Sequence, residues 1–326
     1  MTTNSDLNWK PSATLMDLQL RARLLTATRK FFKQRDVLEV ETPILSRGGN
    51  PDPNIQSFVT AGEGKMYLRT SPEFPLKRLL SAGYGDCYEL GKVFRQAESG
   101  QFHNPEFTML EWYRTDCSWR ELAAEVVKLI CFLASKTDKP QLQQWPIDWL
   151  SYQQLFKHYT KLDPFSASLE AFAALARKHL IHSPDNLQRD EWLDFIMSMV
   201  IQPGLPQDSI TIIHDFPASQ AALAKLNPEN RQTALRFEIY LGQQELANGY
   251  QELTNAAELE KRFLGDNQKR KKQNLPEVSL DQNLIAAQTQ GLPECAGVAL
   301  GFDRLLMVLT GCNQIADCIS FDSSRA

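Results

Sequence analysis

The sequence predicts an α+β fold in which helices pack against a largely antiparallel β-sheet. Strand-like segments lie on both sides of a helix-rich middle part, and several connections between them are too short for a helical crossover; the shortest runs from Gly242 to Gln244. Parallel neighbours need a connection of about a dozen residues or more, so most pairings should be antiparallel. The chain contains no Gly-x-Gly-x-x-Gly or Walker loop, which argues against a doubly wound nucleotide fold.

Composition indicates a globular protein with a substantial core, because 43% of the 326 residues are hydrophobic. A net charge of -4 argues against a general nucleic-acid binder. The six cysteines and five histidines are dispersed without a Cys-x-x-Cys pair, so neither a disulfide framework nor a zinc site is indicated. No signal peptide is evident in "MTTNSDLNWK", and no apolar run approaches the ~20 residues that span a bilayer. We therefore expect a cytoplasmic protein that does not enter a membrane.

Helices are predicted from apolar spacing and capping residues. From Asp17 onward, apolar residues recur at helical intervals, and "VLEVETP" then forms a short strand that Pro43 ends. In "SWRELAAEVVKLICFLA", Ser118 and Glu121 have capping-box spacing. A further helix begins at Asp190 in "DEWLDFIMSMVIQP". Residues 140–210 as a whole carry helix and turn signals without a chemical motif, so we interpret them as a helical elaboration of the fold.

Strand candidates share alternating or β-branched patterns bounded by turn residues. They are "MYLRT", "YELGKVFR", "FTMLEWYR", "SITIIHDF", "ALRFEIYLG", "ELANGYQEL" and "GVAL". The most polar segment contains "KRKK" at Lys269 to Lys272. A solvated helix face is the favoured interpretation of that run, and a docking patch for an acidic partner is the alternative.

One candidate site lies on "FTMLEWYR". Strict alternation puts Phe107, Met109, Glu111 and Tyr113 on one face of the strand. A carboxylate between apolar neighbours must be paired or face a cavity, because burying it alone is costly. Arg95 ends the preceding strand, so a hairpin would bring it near Phe107. This face suits an anion, a flat aromatic group and a cation together.

Two further segments carry candidate site residues. Glu238 and Glu245 flank the Gly242 connection, and paired carboxylates without histidine or cysteine suit Mg²⁺ held with phosphate oxygens. In an ideal strand Glu245 and Glu252 face opposite sides, and a bulge at Asn248-Gly249 would bring both inward.

In "GVALGFDRLLMVLTG", Arg304 falls in the first turn of a helix, where the dipole does not favour a cation, so it suggests a ligand. Taken singly, either arginine is equally compatible with a surface ion pair, and either carboxylate with an exposed sheet face.

Taken together, these segments resemble the catalytic domain of the class II aminoacyl-tRNA synthetases. "VLEVETP" with its helix (residues 20–43) resembles motif 1, "YELGKVFRQAESGQFHNPEFTMLEWY" (88–113) motif 2, and "GVALGFDR" (297–309 with the following helix) motif 3. "RTSPEFPLKRLL" and "ELANGYQEL" are similar to the lysyl branch. The resemblance implies one catalytic domain over residues 1–326. Too few residues flank the motifs for an anticodon-binding OB-fold domain, so we expect none and no anticodon recognition of tRNA.

A lysyl-branch catalytic domain of this kind resembles bacterial ligases that attach (R)-β-lysine to a lysine side chain of translation elongation factor P. The resemblance implies ATP and Mg²⁺ as cofactors, (R)-β-lysine or lysine as substrate, elongation factor P as acceptor, and a homodimer built by motif 1. Two alternatives remain open: a stand-alone ligase that makes a small-molecule amide, and an inactive ligand-sensing paralogue. Retention of Arg95, Glu238, Glu245 and Arg304 argues against the inactive paralogue.

The resemblance also implies residue roles. The expected catalytic residues are Arg95, Arg304 and Glu245, and the expected metal ligands are Glu238 and Glu245. The expected ATP-binding residues are Arg95, Gln96, Ala97, Glu98, His103, Asn104, Phe107, Glu245, Leu246, Gly301 and Arg304. The expected amino-acid-binding residues are Ser71, Pro72, Glu73, Glu111, Tyr113, Asn248, Glu252 and Ala299.

This sequence departs from the lysyl branch at two of these positions. Lysyl enzymes usually have glycine at position 299, and the methyl group of Ala299 would disfavour α-lysine relative to an amino acid whose amine is displaced. The branch usually has Asn-Glu after the motif 2 arginine, whereas Gln96 and Ala97 precede Glu98 here. Either Glu98 or backbone groups of Gln96 and Ala97 would then meet the adenine.

Overall fold

The computed structural model describes residues 9–62, 64–179, 182 and 186–326. Residues 1–8, in "MTTNSDLNWK", and residues 180, 181 and 183–185, in the expected helical elaboration, lie outside the described residues. The α-helices are α1 Leu15–Lys33, α2 Glu73–Ser81, α3 Trp119–Ala134, α4 Tyr152–Thr160, α5 Leu169–Lys178, α6 Arg189–Ile196, α7 Ala256–Lys272, α8 Gln282–Gly291 and α9 Phe302–Thr310. The strands are β1 Leu38–Glu39, β2 Leu45–Ser46, β3 Tyr67–Leu68, β4 Cys87–Phe94, β5 Glu106–Thr115, β6 Ile147–Ser151, β7 Ile210–Pro217, β8 Thr233–Leu241, β9 Gln244–Gln251 and β10 Cys295–Gly301.

Eight strands form one sheet in the order β1-β4-β5-β10-β9-β8-β7-β6, and β2 pairs with β3 separately. The outermost pairs, β1 with β4 and β6 with β7, are parallel. The five pairings between them are antiparallel. The predicted α+β fold with a mostly antiparallel sheet is therefore confirmed. The parallel pairs occur where long, partly helical segments separate the two strands along the chain.

The segment 140–210 contains a strand that the sequence analysis missed. β6 is the edge strand beside β7, and the next residue, Tyr152, already begins α4. A five-residue strand that continues directly into a helix has too few alternations for a period of two to stand out. The helix predicted from Asp190 begins at Arg189 and ends at Ile196, where a wider π-type turn, Met197–Ile201, follows.

The main core lies between one face of the central sheet and helices α1, α3 and α9. Leu110 and Trp112 of β5 are fully buried there, and Phe32 of α1 packs edge-on against Trp112 with ring centroids 5.3 Å apart. Burying such side chains stabilises the fold by roughly 1.5–3 kcal/mol each. The predicted alternation of β5 is confirmed, because its odd-numbered residues lie on the opposite face of the sheet, where they line a cavity. A second core holds α4, α5 and α6 against β7.

Two remaining predictions concern the basic run and membrane insertion. Lys269, Lys271 and Lys272 are exposed at the end of α7, as a solvated helix face predicts, but Arg270 is buried. Its guanidinium donates to the carbonyls of Pro276 and Asp52 and to the Gln56 side chain. Within the described part of the chain, none of the helices combines the length and the apolar character that crossing a bilayer requires.

Candidate active site

A cavity of about 220 Å³ lies on the face of the sheet opposite α1, α3 and α9. Strands β5, β10 and β9 form its floor, and α2 and the loop after β4 form part of its walls. The side chains that line the cavity form two groups, one at each end. The arginine half contains Arg95, His103, Phe107 and Arg304, and the carboxylate half contains Glu73, Glu111 and Glu252 with their partners.

The β4–β5 hairpin positions Arg95 in the arginine half. Arg95 follows the last residue of β4, and its N–H donates to the Pro105 carbonyl at 2.9 Å. Val93 lies opposite Phe107, so the Arg95 guanidinium carbon comes within 5.2 Å of the Phe107 ring centroid. Its Nη1 lies 3.2 Å from Glu98 Oε1. The predicted proximity of Arg95 and Phe107 is therefore present.

The loop after Arg95 brings Glu98 to the cavity. The Gln96 N–H donates to the Gln56 carbonyl at 2.7 Å, which ties this loop to the segment after β2. Ala97 has a φ of +69°, a left-handed conformation that costs a non-glycine residue about 1 kcal/mol. Glu98 lines the cavity, whereas Gln96 and Ala97 are outside its lining.

Arg304 projects from the first turn of α9, as predicted. Its Nη2 lies 2.5 Å from His103 Nε2, and its Nη1 donates to the Glu245 carbonyl at 3.1 Å. Burial and the Arg304 charge lower the pKa of His103, so the neutral imidazole accepts this hydrogen bond. A Cβ built on Gly301 would meet nothing closer than the Arg304 side chain at 3.7 Å, so no protein contact requires glycine there.

Two expected nucleotide residues are held mainly by the protein itself. The buried Asn104 side chain donates to the Glu106 carbonyl at 2.6 Å and accepts from the Ser323 N–H at 2.9 Å. Leu246 is also buried and reaches the cavity wall from β9. Asn104 thereby fixes the end of the hairpin loop against the C-terminal segment.

A bulge in β9 brings Glu245 to the same face as Glu252, but it lies earlier than predicted. Ile239 pairs with Ala247, whereas Tyr240 pairs with Glu245, so Leu246 is the extra residue. The prediction of a bulge at Asn248-Gly249 is wrong in position, because those two residues pair regularly with Glu238 and Phe237. An added Cβ on Gly249 would collide with the Phe237 ring, so this glycine serves close packing.

Glu238 lies opposite Asn248 and is buried beside the cavity lining. Its carboxylate accepts from Arg236 Nη2 at 2.5 Å and from the Tyr240 hydroxyl at 2.9 Å. Burial raises its pKa to about 7 against the lowering effect of Arg236, and Glu245 raises it further. Glu245 lines the cavity with a half-exposed side chain. The charge of Glu245 therefore acts on the buried Glu238 carboxyl across the edge of the cavity.

Glu111 occupies the centre of the carboxylate half. Its carboxylate accepts from Ser71 Oγ at 2.6 Å and from the Tyr113 hydroxyl at 2.7 Å. Burial raises the pKa of Glu111 to about 8, and the neighbouring Glu73 adds to the shift. Ser71 also accepts from the Glu73 N–H and so helps to start α2, while Pro72 caps that helix outside the cavity lining.

Glu73 and Glu252 meet at a buried lysine that the sequence analysis did not predict. Lys77 Nζ lies 2.6 Å from Glu73 Oε1 and 2.6 Å from Glu252 Oε2. Lys77 is one turn after Glu73 on α2, which is the spacing of an i,i+4 ion pair and the only sequence signal for it. Burial raises the pKa of Glu252 to about 7, although Lys77 opposes the shift.

β10 closes the floor between β5 and β9. Ala299 lies opposite Glu111 on one side and Asn248 on the other, and it lines the cavity. Gly297, also missed as a site residue, lies opposite Tyr113. The glycine in "GVAL" gives no local signal of a site, because sequence alone does not identify the groups that approach it.

Comparison with known proteins identifies one family. A family model described as tRNA synthetases class II (D, K and N) matches residues 4–325. The chain is 43% identical over 326 residues to the elongation factor P--(R)-beta-lysine ligase of Haemophilus influenzae (strain PittGG), covering 98% of each chain. Proteins of the same name from Mannheimia succiniciproducens and Photorhabdus laumondii subsp. laumondii are 43% and 42% identical, again over 98% of each chain.

Proposed function

The chain belongs to the class II tRNA synthetases of the D, K and N group, and we propose that it is an ATP-dependent ligase that joins (R)-β-lysine to a lysine side chain of translation elongation factor P. The relatives that carry this activity in their names match the chain over nearly their whole length. The observation that carries the proposal is the two-part cavity. Arginines and an aromatic ring at one end suit a nucleotide, and buried carboxylates at the other suit an amine-rich amino acid.

In the first step, a carboxylate oxygen of the amino acid bonds to the α-phosphorus of ATP, and the bond to the β-phosphate oxygen breaks to release pyrophosphate. Such a transfer depends mainly on positioning and charge neutralisation. Arg95 would contact the α-phosphate, and Arg304 would contact the γ-phosphate while covering the adenine, with Phe107 on the other face. The position of Arg95 over Phe107 supports this assignment.

The remaining nucleotide contacts follow from the loop after β4. Glu98 would meet the adenine amino group, because its side chain reaches the cavity while Gln96 and Ala97 do not line it. His103 would keep Arg304 oriented through its neutral imidazole. Asn104, Leu246 and Gly301 would shape the wall along the nucleotide.

The amino acid would lie in the carboxylate half. Glu73 would bind the amine nearer the carboxylate, and Glu252 with Tyr113 would bind the distal ammonium. Glu111 would support both through Ser71 and Tyr113, to which it is hydrogen-bonded. Asn248 and Ala299 would form the side of the pocket, with Ala299 limiting where the substrate amine can lie.

Glu238 and Glu245 would hold Mg²⁺ together with phosphate oxygens. The residues fit this ion because Glu245 adds to the rise in the pKa of the buried Glu238, and a cation would relieve that repulsion. Among the described residues, no cluster of three or more histidine, cysteine or acidic side chains forms a complete metal site. Two carboxylates are sufficient for Mg²⁺, which usually keeps waters and substrate phosphates as ligands. When bound, the ion neutralises the charge of the phosphates.

In the second step, the acceptor lysine amine bonds to the acyl carbon of the adenylate, AMP leaves with the shared oxygen, and the amine loses a proton. We propose that the acceptor is a protein lysine and not a tRNA selected by its anticodon. Residues 1–326 would act as one catalytic domain in the cytoplasm.

We further propose a homodimer, with motif 1 at its interface. The edge position of β1 supports it, because Leu38 on this strand and Leu45, shortly after motif 1, are exposed apolar residues.

Amino-acid-dependent ATP–pyrophosphate exchange, with (R)-β-lysine and α-lysine side by side, tests the activation step. Mass spectrometry of elongation factor P incubated with the protein, ATP and (R)-β-lysine tests the transfer, with one added residue as the expected result. No exchange with either amino acid would refute the ligase. Exchange with an unchanged elongation factor P mass would refute the acceptor.

A further inference from the structure

Lys77 is buried at the base of the carboxylate half, where an unpaired ammonium would be costly. It donates a hydrogen bond to Glu73 Oε1, and its contact with Glu252 Oε2 is a close ion pair at the same distance, 2.6 Å. No described donor is aligned for a hydrogen bond to this buried Glu252 oxygen. Burial alone lowers the pKa of Lys77, but the ion pairs with Glu252 and Glu73 outweigh it and raise the pKa, so Lys77 is charged.

The charges of the carboxylate half do not cancel. Glu73, Glu111 and Glu252 can supply three negative charges, and Lys77 supplies one positive charge.

The other titratable groups facing Glu252 are neutral. They are Tyr113 of β5, Tyr250 of β9 and Cys295 of β10, and burial raises the pKa of each. Arg236 is already paired with Glu238. The ionised half therefore retains two negative charges.

We propose that Lys77 is a positioning residue that joins Glu73 to Glu252 and leaves the pocket with two uncompensated negative charges, which match an amino acid carrying two ammonium groups. This inference rests on the proposed function, since it specifies how that pocket selects a diamino acid. Without Lys77, Glu73 and Glu252 repel each other in a low-dielectric site, and one of them must take up a proton. The substrate then has to displace that proton, so binding weakens most at low pH.

The test compares the wild type with Lys77→Met, which has a similar length and no charge, in pyrophosphate exchange between pH 6 and 9. We expect the KM of the diamino acid to rise at least about 10-fold, as losing one partner of a buried charge pair predicts. The acidic limb of kcat/KM should move up by about one pH unit. The KM of ATP should change less than about twofold, since Lys77 lies in the other half. Lys157→Met, which breaks the exposed pair with Asp163, is the matched control and should leave all these values unchanged.

Three results would overturn the inference. One is an unchanged amino-acid KM in Lys77→Met. Another is an equal loss of kcat/KM for the amino acid and for ATP with an unshifted pH profile, which is the result expected if Lys77 has only a structural role. If Lys77→Met does not fold, adding Glu73→Gln removes the repulsion; recovery of the fold supports the charge pairing, and failure to recover overturns it. No exchange by the wild type would instead overturn the proposed function together with this inference.

Discussion

Gly297 of β10 lies directly opposite Tyr113 of β5, and the two residues leave no room for a side chain between them. A Cβ built on Gly297 would overlap both the Tyr113 ring and the Glu252 carboxylate. The floor of the carboxylate half therefore requires a residue without a side chain at position 297. Tyr113 in turn donates a hydrogen bond to Glu111. A side chain at position 297 would therefore disturb Tyr113, Glu252 and Glu111 together.

Gly297→Ala should damage the amino-acid pocket more than the fold. Overpacking of this kind costs roughly 1–3 kcal/mol, and a displaced Tyr113 should lower kcat/KM for the amino acid by about 10²-fold. Steady-state pyrophosphate exchange and thermal unfolding would measure the two effects. Gly265→Ala is the control, because a Cβ there meets nothing within 4 Å and alanine favours the helix. Equal behaviour of the two variants would contradict the prediction.

Arg304→Ala should weaken ATP use selectively. It removes a guanidinium aimed at the arginine half and leaves His103 without its donor. We expect exchange to fall about 10²–10³-fold, the size found when a transition-state charge partner is lost. Amino-acid binding by calorimetry should be nearly unchanged. Arg177→Ala, at an exposed position of α5, should behave as the wild type; an ATP KM that stays at the wild-type value in Arg304→Ala would exclude the assignment.

Glu245→Gln should increase the Mg²⁺ concentration required for half-maximal exchange by about 10-fold or more, since losing a group at a metal site typically costs that much. The amide retains the size of the side chain and removes the charge. Titration of activity with Mg²⁺ at fixed ATP measures the change. Glu260→Gln on the exposed face of α7 is the matched control. A Mg²⁺ dependence identical to that of the wild type would remove Glu245 from the proposed metal site.

Amino-acid affinity should increase as the pH rises from 6 to about 8.5. Burial raises the pKa of Glu111 to about 8 and that of Glu252 to about 7, so both carboxyls are protonated below these values and ionised above them. Ammonium groups bind the ionised form, and binding near pH 7 should release protons. Calorimetry in two buffers of different ionisation enthalpy would count them. A Kd independent of pH, with no proton release, would show that the empty pocket is already ionised.

Ala299→Gly should improve the use of α-lysine by about 10-fold, the discrimination that one methylene provides in a pocket. Ala299 lies between Glu111 and Asn248 on the pocket floor, so removal of its methyl group gives the substrate amine more space. The kcat/KM values for α-lysine and (R)-β-lysine, measured on both proteins, give the change in preference. Unchanged discrimination would show that this methyl group does not select the isomer.

Local patterns were enough to predict much of this protein. The period of two in β5 identified its cavity face, because side chains alternate across any strand whatever its neighbours are. The hairpin around Arg95 and the short connection at Gly242 likewise followed from nearby residues. The family resemblance was evident because its motifs are continuous segments.

Other features depend on contacts between segments that are distant along the chain. The bulge at Leu246 follows from how β9 pairs with β8, and alternation alone suggested a different position. β6 becomes a strand only beside β7, since five residues carry little periodic signal. Lys77 appears in the sequence as an ordinary helical lysine. Its role as the cation between Glu73 and Glu252 arises when α2 packs against β5 and brings Lys77 beside Glu252, because charge pairing depends on distance in space.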